Sequence, residues 1–352
     1  MTRRLRFVVF ALGLILVASV SAAAKPRVVI VATGGTIAGA QPNTAQGGYT
    51  SGVFDIQHLI DAAPLMKDLA DISGEQLVNV GSQDMTNEIW LKLGHRVDEL
   101  LKQPDVDAVV ITHGTDTMEE TGYFLSLTVH SDKPIVMVGS MRPATSLSAD
   151  GPMNLYEAVA VATSPDAKGR GVMVVLNDQI HYAREVEKQS TTALDTFHSP
   201  NRGPAGHVSG DHVTFFATPA TIHGEQSAFS IADLDALPKV EIVYAYANVG
   251  RDFIDYAVKN GAKGIVLAGV GDGNMTKAAT DGLADAARGG VAVVRSSRTG
   301  SGAVYRNIEV DDDKLHFIAS GELNPQKSRV LLMLGLLKSN SVDALQGYFD
   351  AY

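Results

Sequence analysis

The sequence contains no cysteine, which removes disulfides, thiolate nucleophiles and cysteine-bound metals together. It has a single tryptophan and only 19% charged residues, and the charge leans to acid, with a formal net of −10 at pH 7. A chain of that sign is poorly suited to neutralising phosphates, so nucleic acid is not an expected partner. The run Phe7 to Val20 is 14 residues long and apolar but for Ser19, short of the ~20 that cross a bilayer. There is no repeat at solenoid spacing and no low-complexity tract.

That apolar run has a basic start at Arg3, Arg4 and Arg6 and is followed by Ala22-Ala23-Ala24. This is the pattern of an export signal, residues 1–24, rather than of a membrane anchor. Loss of the three arginines takes the formal charge from −10 to −13. The mature chain is expected from Lys25 onward, periplasmic, soluble and free of the membrane. Without cysteine its stability in an oxidising compartment must rest on core packing and assembly.

The remaining composition is globular: 352 residues, 45% hydrophobic, with 34 glycines, enough for two domains with separate cores. Short Val/Ile/Leu runs alternate with longer stretches of helical spacing, and none of the runs alternates apolar with polar. This predicts an α/β fold with a mostly parallel sheet whose strands are buried on both faces. Expected strands are Val28 to Ala32, Gln76 to Val80, Ala108 to Thr112, Pro134 to Val138 and Val172 to Leu176. From Phe197 to Phe229 the sequence turns polar and irregular, room for a short hairpin and a connecting segment. Strand–helix alternation then resumes with EIVYAYA, GIVLAG, VAVVRSS and HFIASG. The expected organisation is a larger N-terminal domain over 25–216, a linker over 217–238 and a smaller C-terminal α/β domain over 239–352.

Ligands of open parallel sheets bind beyond the carboxyl ends of the strands, and there the loops are polar. They read Thr33-Gly34-Gly35-Thr36, Gly81-Ser82-Gln83-Asp84, His113-Gly114-Thr115-Asp116-Thr117, Gly139-Ser140-Met141-Arg142-Pro143 and Asn177-Asp178. Glycines let backbone N–H groups approach a ligand, and an activated hydroxyl beside them is a nucleophile. Taken singly, each loop is equally a turn with a helix cap; hydroxyls at three corresponding strand ends favour an acyl-transfer site. The phosphate-binding alternative is weak, because no Gly-Lys-Ser/Thr follows TGGTIAG and Asn274 stands where the dinucleotide fingerprint of GVGDGN needs glycine. No His-Glu-x-x-His pair or Gly-x-Ser-x-Gly elbow is present, and His113 reads as a packed loop residue. Lysine is the remaining candidate for a base, and Lys188 follows the fifth strand; composition alone favours reading it as a solvated lysine beside Glu185 and Glu187.

ATGGTIAG (32–39), ITHGTDTMEET (111–121), VGSMRP (138–143), SADGPMNLYEAV (148–159) and LNPQKSRVLL (323–332), in that order, resemble the bacterial L-asparaginase family, and more narrowly its exported type II branch. The resemblance runs from about Arg27 to Tyr352. It implies hydrolysis of L-asparagine to L-aspartate and ammonia by a threonine nucleophile, with no metal or organic cofactor. Carried over by position, Thr36 is the nucleophile and Tyr49 the tyrosine of a mobile covering loop. Thr115, Asp116 and Lys188 form a second constellation, in which Thr115 lies against the scissile amide and positions or activates water. Ser82 and Gln83 hold the substrate α-carboxylate, Asp116 takes its ammonium, and backbone donors near Gly35 and Thr115 face the developing oxyanion. Asn274 and Glu309 match residues lent by the neighbouring subunit of a homotetramer. Two departures stand out: the missing cysteines of relatives that carry a disulfide, and Gly48 where some relatives have asparagine. Gln83, at a position that is often acidic in dual asparaginase-glutaminases, implies a preference for asparagine. The competing expectations are a broad-specificity glutaminase-asparaginase and, from another class, an exported protein that binds an amino acid without turning it over.

Overall fold

The computed structural model describes residues 24–42 and 48–352; the expected export signal lies outside them apart from its last residue. A large sheet is built from β1 (Arg27–Gly34), β2 (Asp71–Val80), β3 (Ala108–Thr112), β4 (Ile135–Val138), β5 (Val172–Leu176), β6 (Gln179–Tyr182), β9 (Gly206–Ser209) and β10 (His212–Phe215). Between β6 and β9 a two-stranded ribbon pairs β7 (Glu187–Lys188) with β8 (Phe197–His198). The small sheet is β11 (Val240–Tyr244), β12 (Gly264–Gly269), β13 (Ala292–Ser297) and β14 (Phe317–Ala319), all parallel and in sequence order. The fold is therefore α/β, with a large N-terminal domain whose sheet is mostly parallel and a smaller C-terminal domain with a parallel sheet.

Strand order in the large sheet is β10-β9-β6-β5-β4-β3-β1-β2. β2, β1, β3, β4 and β5 run parallel, and beyond them β6, β9 and β10 are each antiparallel to the neighbour before them. The order 2-1-3-4-5 means that the chain leaves β1 toward one edge and returns to its other side with β3. The carboxyl ends of β1 and β3 thus flank the topological switch point, where the loops part and leave a crevice.

β1, β3, β4 and β5 are buried almost throughout, which is why their sequences are unbroken Val/Ile runs: apolar cores lie on both faces. β2 departs from the expected burial on both faces. It is an edge strand, largely exposed or half-buried, and it begins at Asp71, five residues before the expected start. The polar stretch after Phe197 does hold a hairpin, β9–β10.

One of the cores is shared by the two domains. It joins Tyr123, Phe124 and Leu127 of the helix Met118–Thr128 to Val330, Leu331 and Leu334 of the helix Pro325–Leu336, and it takes in Phe229 and Ile231 from the connecting stretch. The helix Pro325–Leu336 also packs on β11, β12 and β13, so it links the small sheet to the segment that follows β3.

Candidate active site

At the switch point the loops touch backbone to backbone. Gly34 and Gly35 have φ of 105° and 85°, the left-handed side that glycine adopts freely. A Cβ on Gly35 would stand 2.4 Å from the Cα and N of Gly114, and one on Gly114 would stand 2.5 Å from Ser82 Oγ. Only glycine fits at either place, and the residue after each glycine is a threonine, Thr36 or Thr115. The loops after β1, β2 and β3 are thereby brought to one spot.

Thr36 opens a 3₁₀ turn and is 7% exposed. Its hydroxyl lies 2.7 Å from the hydroxyl of Tyr49. Tyr49 precedes Thr50, which forms an antiparallel bridge with Ala40, and remains 43% exposed. Its ring passes over Gly39, where a Cβ would be 3.0 Å from Tyr49 Cδ2.

Thr115 is buried, and Lys188 Nζ donates to its hydroxyl at 2.9 Å and to Asp116 Oδ1 at 2.6 Å. Lys188 is no solvated lysine: its side chain is 17% exposed, against 57% for Asp116. The β7–β8 ribbon carries it there from beyond β6. Across the end of β1, Ser82 Oγ accepts from the backbone N–H of Asp116 at 3.1 Å, and its carbonyl accepts from Thr117 Oγ1 at 2.7 Å. Ser82 is buried; Gln83 is exposed and leans on Asp84.

Behind the loop, His113 is fully buried. Its Nδ1 meets the Gly114 carbonyl at 2.7 Å and its Nε2 the hydroxyl of Thr121 at 3.0 Å, which in turn accepts from Trp90 Nε1 at 2.9 Å. Thr121 must then donate to Nε2, leaving the Nδ1 proton for Gly114. The ring is neutral, and burial pushes its pKa down to about 4. His113 braces the loop, as the sequence suggested.

Asn274 and Glu309 are hydrogen-bonded to each other in the C-terminal domain. Asn274 closes a tight turn with Val270, and Glu309 is exposed. Beneath them Arg295 and Asp312 form a fully buried two-pronged ion pair, 2.6 and 2.7 Å. Arg295 also donates to the carbonyls of Asp272 and Tyr305, and Asp312 accepts from the N–H of Asn307. One buried pair therefore holds both loops.

Sequence reasoning gave no role to Glu119, Asn324 and Lys327, which lie behind Lys188. Glu119 Oε2 accepts from the Lys188 N–H, Asn324 Nδ2 donates to Glu119 Oε1, and Lys327 Nζ donates to the carbonyls of Arg184 and Val186. Burial lowers the pKa of Lys327 while Glu119 and Glu187 resist it. Burial also raises neighbouring Glu120 to about 7 against the pull of Arg329. The available signal was Asn324-Pro325, a capping residue followed by proline at the first helical position. Among the described residues no three His, Asp or Glu side chains converge as metal ligands would.

A crevice at a switch point, walled by two buried threonines with a phenol on one and an ammonium on the other, is built for acyl transfer on a small polar substrate. Comparison with known proteins gives the family. Residues 27–221 match the asparaginase N-terminal domain and residues 239–349 the glutaminase/asparaginase C-terminal domain; the chain belongs to the asparaginase family. It is 52% identical over 340 residues to L-asparaginase 2 of Bacillus subtilis, covering 96% of this chain and 90% of that one. It is 49% identical over 343 residues to the probable periplasmic L-asparaginase of Haemophilus influenzae, covering 97% of each. The crystal structure of a probable cytoplasmic L-asparaginase from Campylobacter jejuni superposes with a TM-score of 0.91 at 47% identity, covering 93% of this chain and all of that one.

Proposed function

We propose that the protein hydrolyses L-asparagine to L-aspartate and ammonia, without metal or organic cofactor, through an ester on Thr36. The observation that carries this reading is the contact of Gly35 with Gly114, because it sets two differently activated hydroxyls on either side of one crevice. Thr36 Oγ1 attacks the amide carbon, its proton moving toward Tyr49, 2.7 Å away. Backbone N–H groups beside Gly35 and Thr115 face the oxygen as it becomes negative, an effect worth about 3 kcal/mol per donor. The amide nitrogen takes the proton that Thr36 passes on through the Tyr49 hydroxyl and leaves as ammonia. Water held by Thr115 then cleaves the ester, Lys188 giving up a proton toward the departing Thr36 oxygen and regaining one from the water, which frees Thr36.

Asp116 and Ser82 sit where they can hold the two charged ends of the amino acid, with Gln83 at the rim. An α-ammonium bound to Asp116 competes with Lys188 for the carboxylate and frees the lysine toward Thr115. A neutral Gln83 supports asparagine over glutamine, which differ by one methylene; such a pocket discriminates by roughly 10 to 200-fold.

We also take the domains to divide at 25–216 and 239–352, and the chain to be exported and to work as a homotetramer in which Asn274 and Glu309 complete a neighbour's site. Export is supported by Arg3 to Ala24 and by the relative named periplasmic, although the C. jejuni neighbour is named cytoplasmic. Assembly is supported by the exposed Tyr244, Tyr246, Phe253 and Tyr256 around a concave apolar patch of about 450 Å³.

The test is ammonia release by the chain from Lys25 onward, with asparagine and glutamine in parallel and Thr36→Ala as control. Asparagine turnover that this substitution abolishes supports the reading, and comparable efficiencies on both amides would replace it with a glutaminase-asparaginase. A folded chain that binds aspartate yet releases no ammonia would be a binding protein. Light scattering at working concentration decides the tetramer.

A further inference from the structure

Lys188 is held from behind by a chain of hydrogen bonds that starts in the other domain. Asn324 caps the helix Pro325–Leu336, its Oδ1 accepting from the Lys327 N–H at 2.9 Å. That contact fixes the amide's orientation, so Nδ2 is the end left to donate, to Glu119 Oε1 at 3.1 Å. The other oxygen of Glu119 accepts from the Lys188 N–H at 2.8 Å. Glu119 is buried and stands between two donors, neither of which can become an acceptor: one is backbone, the other belongs to an amide whose oxygen is already committed. Only a group accepting at both ends satisfies them, which a carboxylate does and its amide does not. Lys327, from the same helix, ties the carbonyls of Arg184 and Val186 just upstream.

We propose that Glu119 and Asn324 are positioning residues for hydrolysis, an acceptor–donor latch through which the C-terminal domain sets where Lys188 stands against Thr115 and Asp116. The latch rests on the reading of Lys188 as proton carrier given above. Its two halves come from helices already packed in the shared core, Met118–Thr128 and Pro325–Leu336, so a shift between domains is transmitted to the lysine.

Steady-state hydrolysis of asparagine by Glu119→Gln, Asn324→Asp, the double variant and Lys188→Met tests it. Glu119→Gln sets donor against donor and should lower kcat about 10 to 100-fold, the scale of a misplaced catalytic group, with KM little changed. Asn324→Asp sets carboxylate against carboxylate and should lower kcat as well. In the double variant the carboxylate introduced by Asn324→Asp still caps the helix and accepts from the new amide, whose oxygen accepts from Lys188. The bonds that link the helix N-terminus to Lys188 return with the same net charge, only the Asn324 hydrogen bond to Glu187 being lost, and kcat should recover well above that of either single variant. A double variant no faster than Glu119→Gln, or a Glu119→Gln with undiminished kcat, would overturn the latch. Should Glu119→Gln fail to fold, recovery from Asn324→Asp to the double variant decides between the same two outcomes. Lys188→Met separates the two ideas: if it keeps parental kcat, the reading of Lys188 fails, whereas if it loses kcat and Glu119→Gln does not, the latch alone fails.

Discussion

Thr36 meets its phenol from the surface, with Tyr49 43% exposed next to Thr50, which bridges to Ala40, whereas Thr115 meets its ammonium inside the fold, with the Lys188 backbone tied to a buried carboxylate. The two hydroxyls stand at neighbouring strand ends yet have opposite supports. The difference follows from what each must do. A crevice that admits a zwitterion needs one wall that can leave, and on the proposed mechanism that wall is the side of Thr36 and Tyr49. The side that handles water must keep a fixed geometry through both half-reactions, since small displacements are costly there. The Asn274–Glu309 pair follows the second plan, with a half-buried asparagine and an exposed glutamate above a buried anchor.

Substitutions should expose the contrast. Thr36→Ala removes the atom to which the acyl group bonds and should reduce turnover by about 10⁴-fold or more, with folding intact. Lys188→Met keeps the nucleophile and removes the proton carrier, for a loss of ~10² to 10⁴. Rapid-quench analysis of Lys188→Met should find the ester accumulating if the lysine serves mainly the water step. Equal slowing of both half-reactions would mean that the two centres are not functionally distinct.

The anchor of the third pair is next in size. Arg295→Met leaves Asp312 charged, buried and without its partner, which typically costs about 3 to 5 kcal/mol, read as a lower denaturation midpoint. Because Arg295 also holds the carbonyls of Asp272 and Tyr305, KM for asparagine should rise in whatever fraction stays folded. An unchanged KM would detach this pair of loops from substrate binding.

How much of this was legible depended on burial and distance along the chain. Ala108–Thr112, Val172–Leu176 and Gly264–Gly269 could be read to the residue because strands buried on both faces admit only apolar side chains. Asp71–Glu75 could not, since an edge strand carries whatever solvent tolerates. The threonines were visible beside glycines, but Lys188 lies 73 residues from Thr115, and Asn324 lies 205 from Glu119. Nothing local marks a lysine or a glutamate whose partner is set by the sheet order. Resemblance supplied Lys188, and only the folded structure supplied its latch.

His113 allows the rigid side to be measured through pH. Its folded pKa is about 4, below its ordinary 6.5. Between those values the unfolded chain binds the extra proton, so this residue's contribution is fully present above 6.5 and is lost as pH falls toward 4. The loss amounts to about 3 kcal/mol. His113→Asn, less stable at pH 7 for want of the ring's contacts, should close on the parent by that amount at pH 4 in parallel urea titrations. His181 is depressed by burial in the same direction, but it is common to both proteins and cancels in the difference. A constant gap would mean that His113 takes up its proton as readily in the fold as in the unfolded chain and that the loop is looser than its hydrogen bonds imply.

Hydrogen exchange addresses the exposed side. The amides of Ala40 and Thr50 are bonded only to each other's carbonyls in an isolated bridge, so they should open locally at a free energy well below that of global unfolding. The His113 amide, bonded to Val138 within the parallel sheet, should exchange only with the whole domain. Saturating aspartate, the proposed product, should then slow exchange at Thr50 by up to ~100-fold at a hundred times its dissociation constant, if it binds only the closed form. Slowing confined to Thr50 would identify the segment carrying Tyr49 as the wall that moves. Equal slowing at both sites would instead mean that ligand stabilises the domain as one unit, and the contrast between the two hydroxyl centres would then be one of exposure alone.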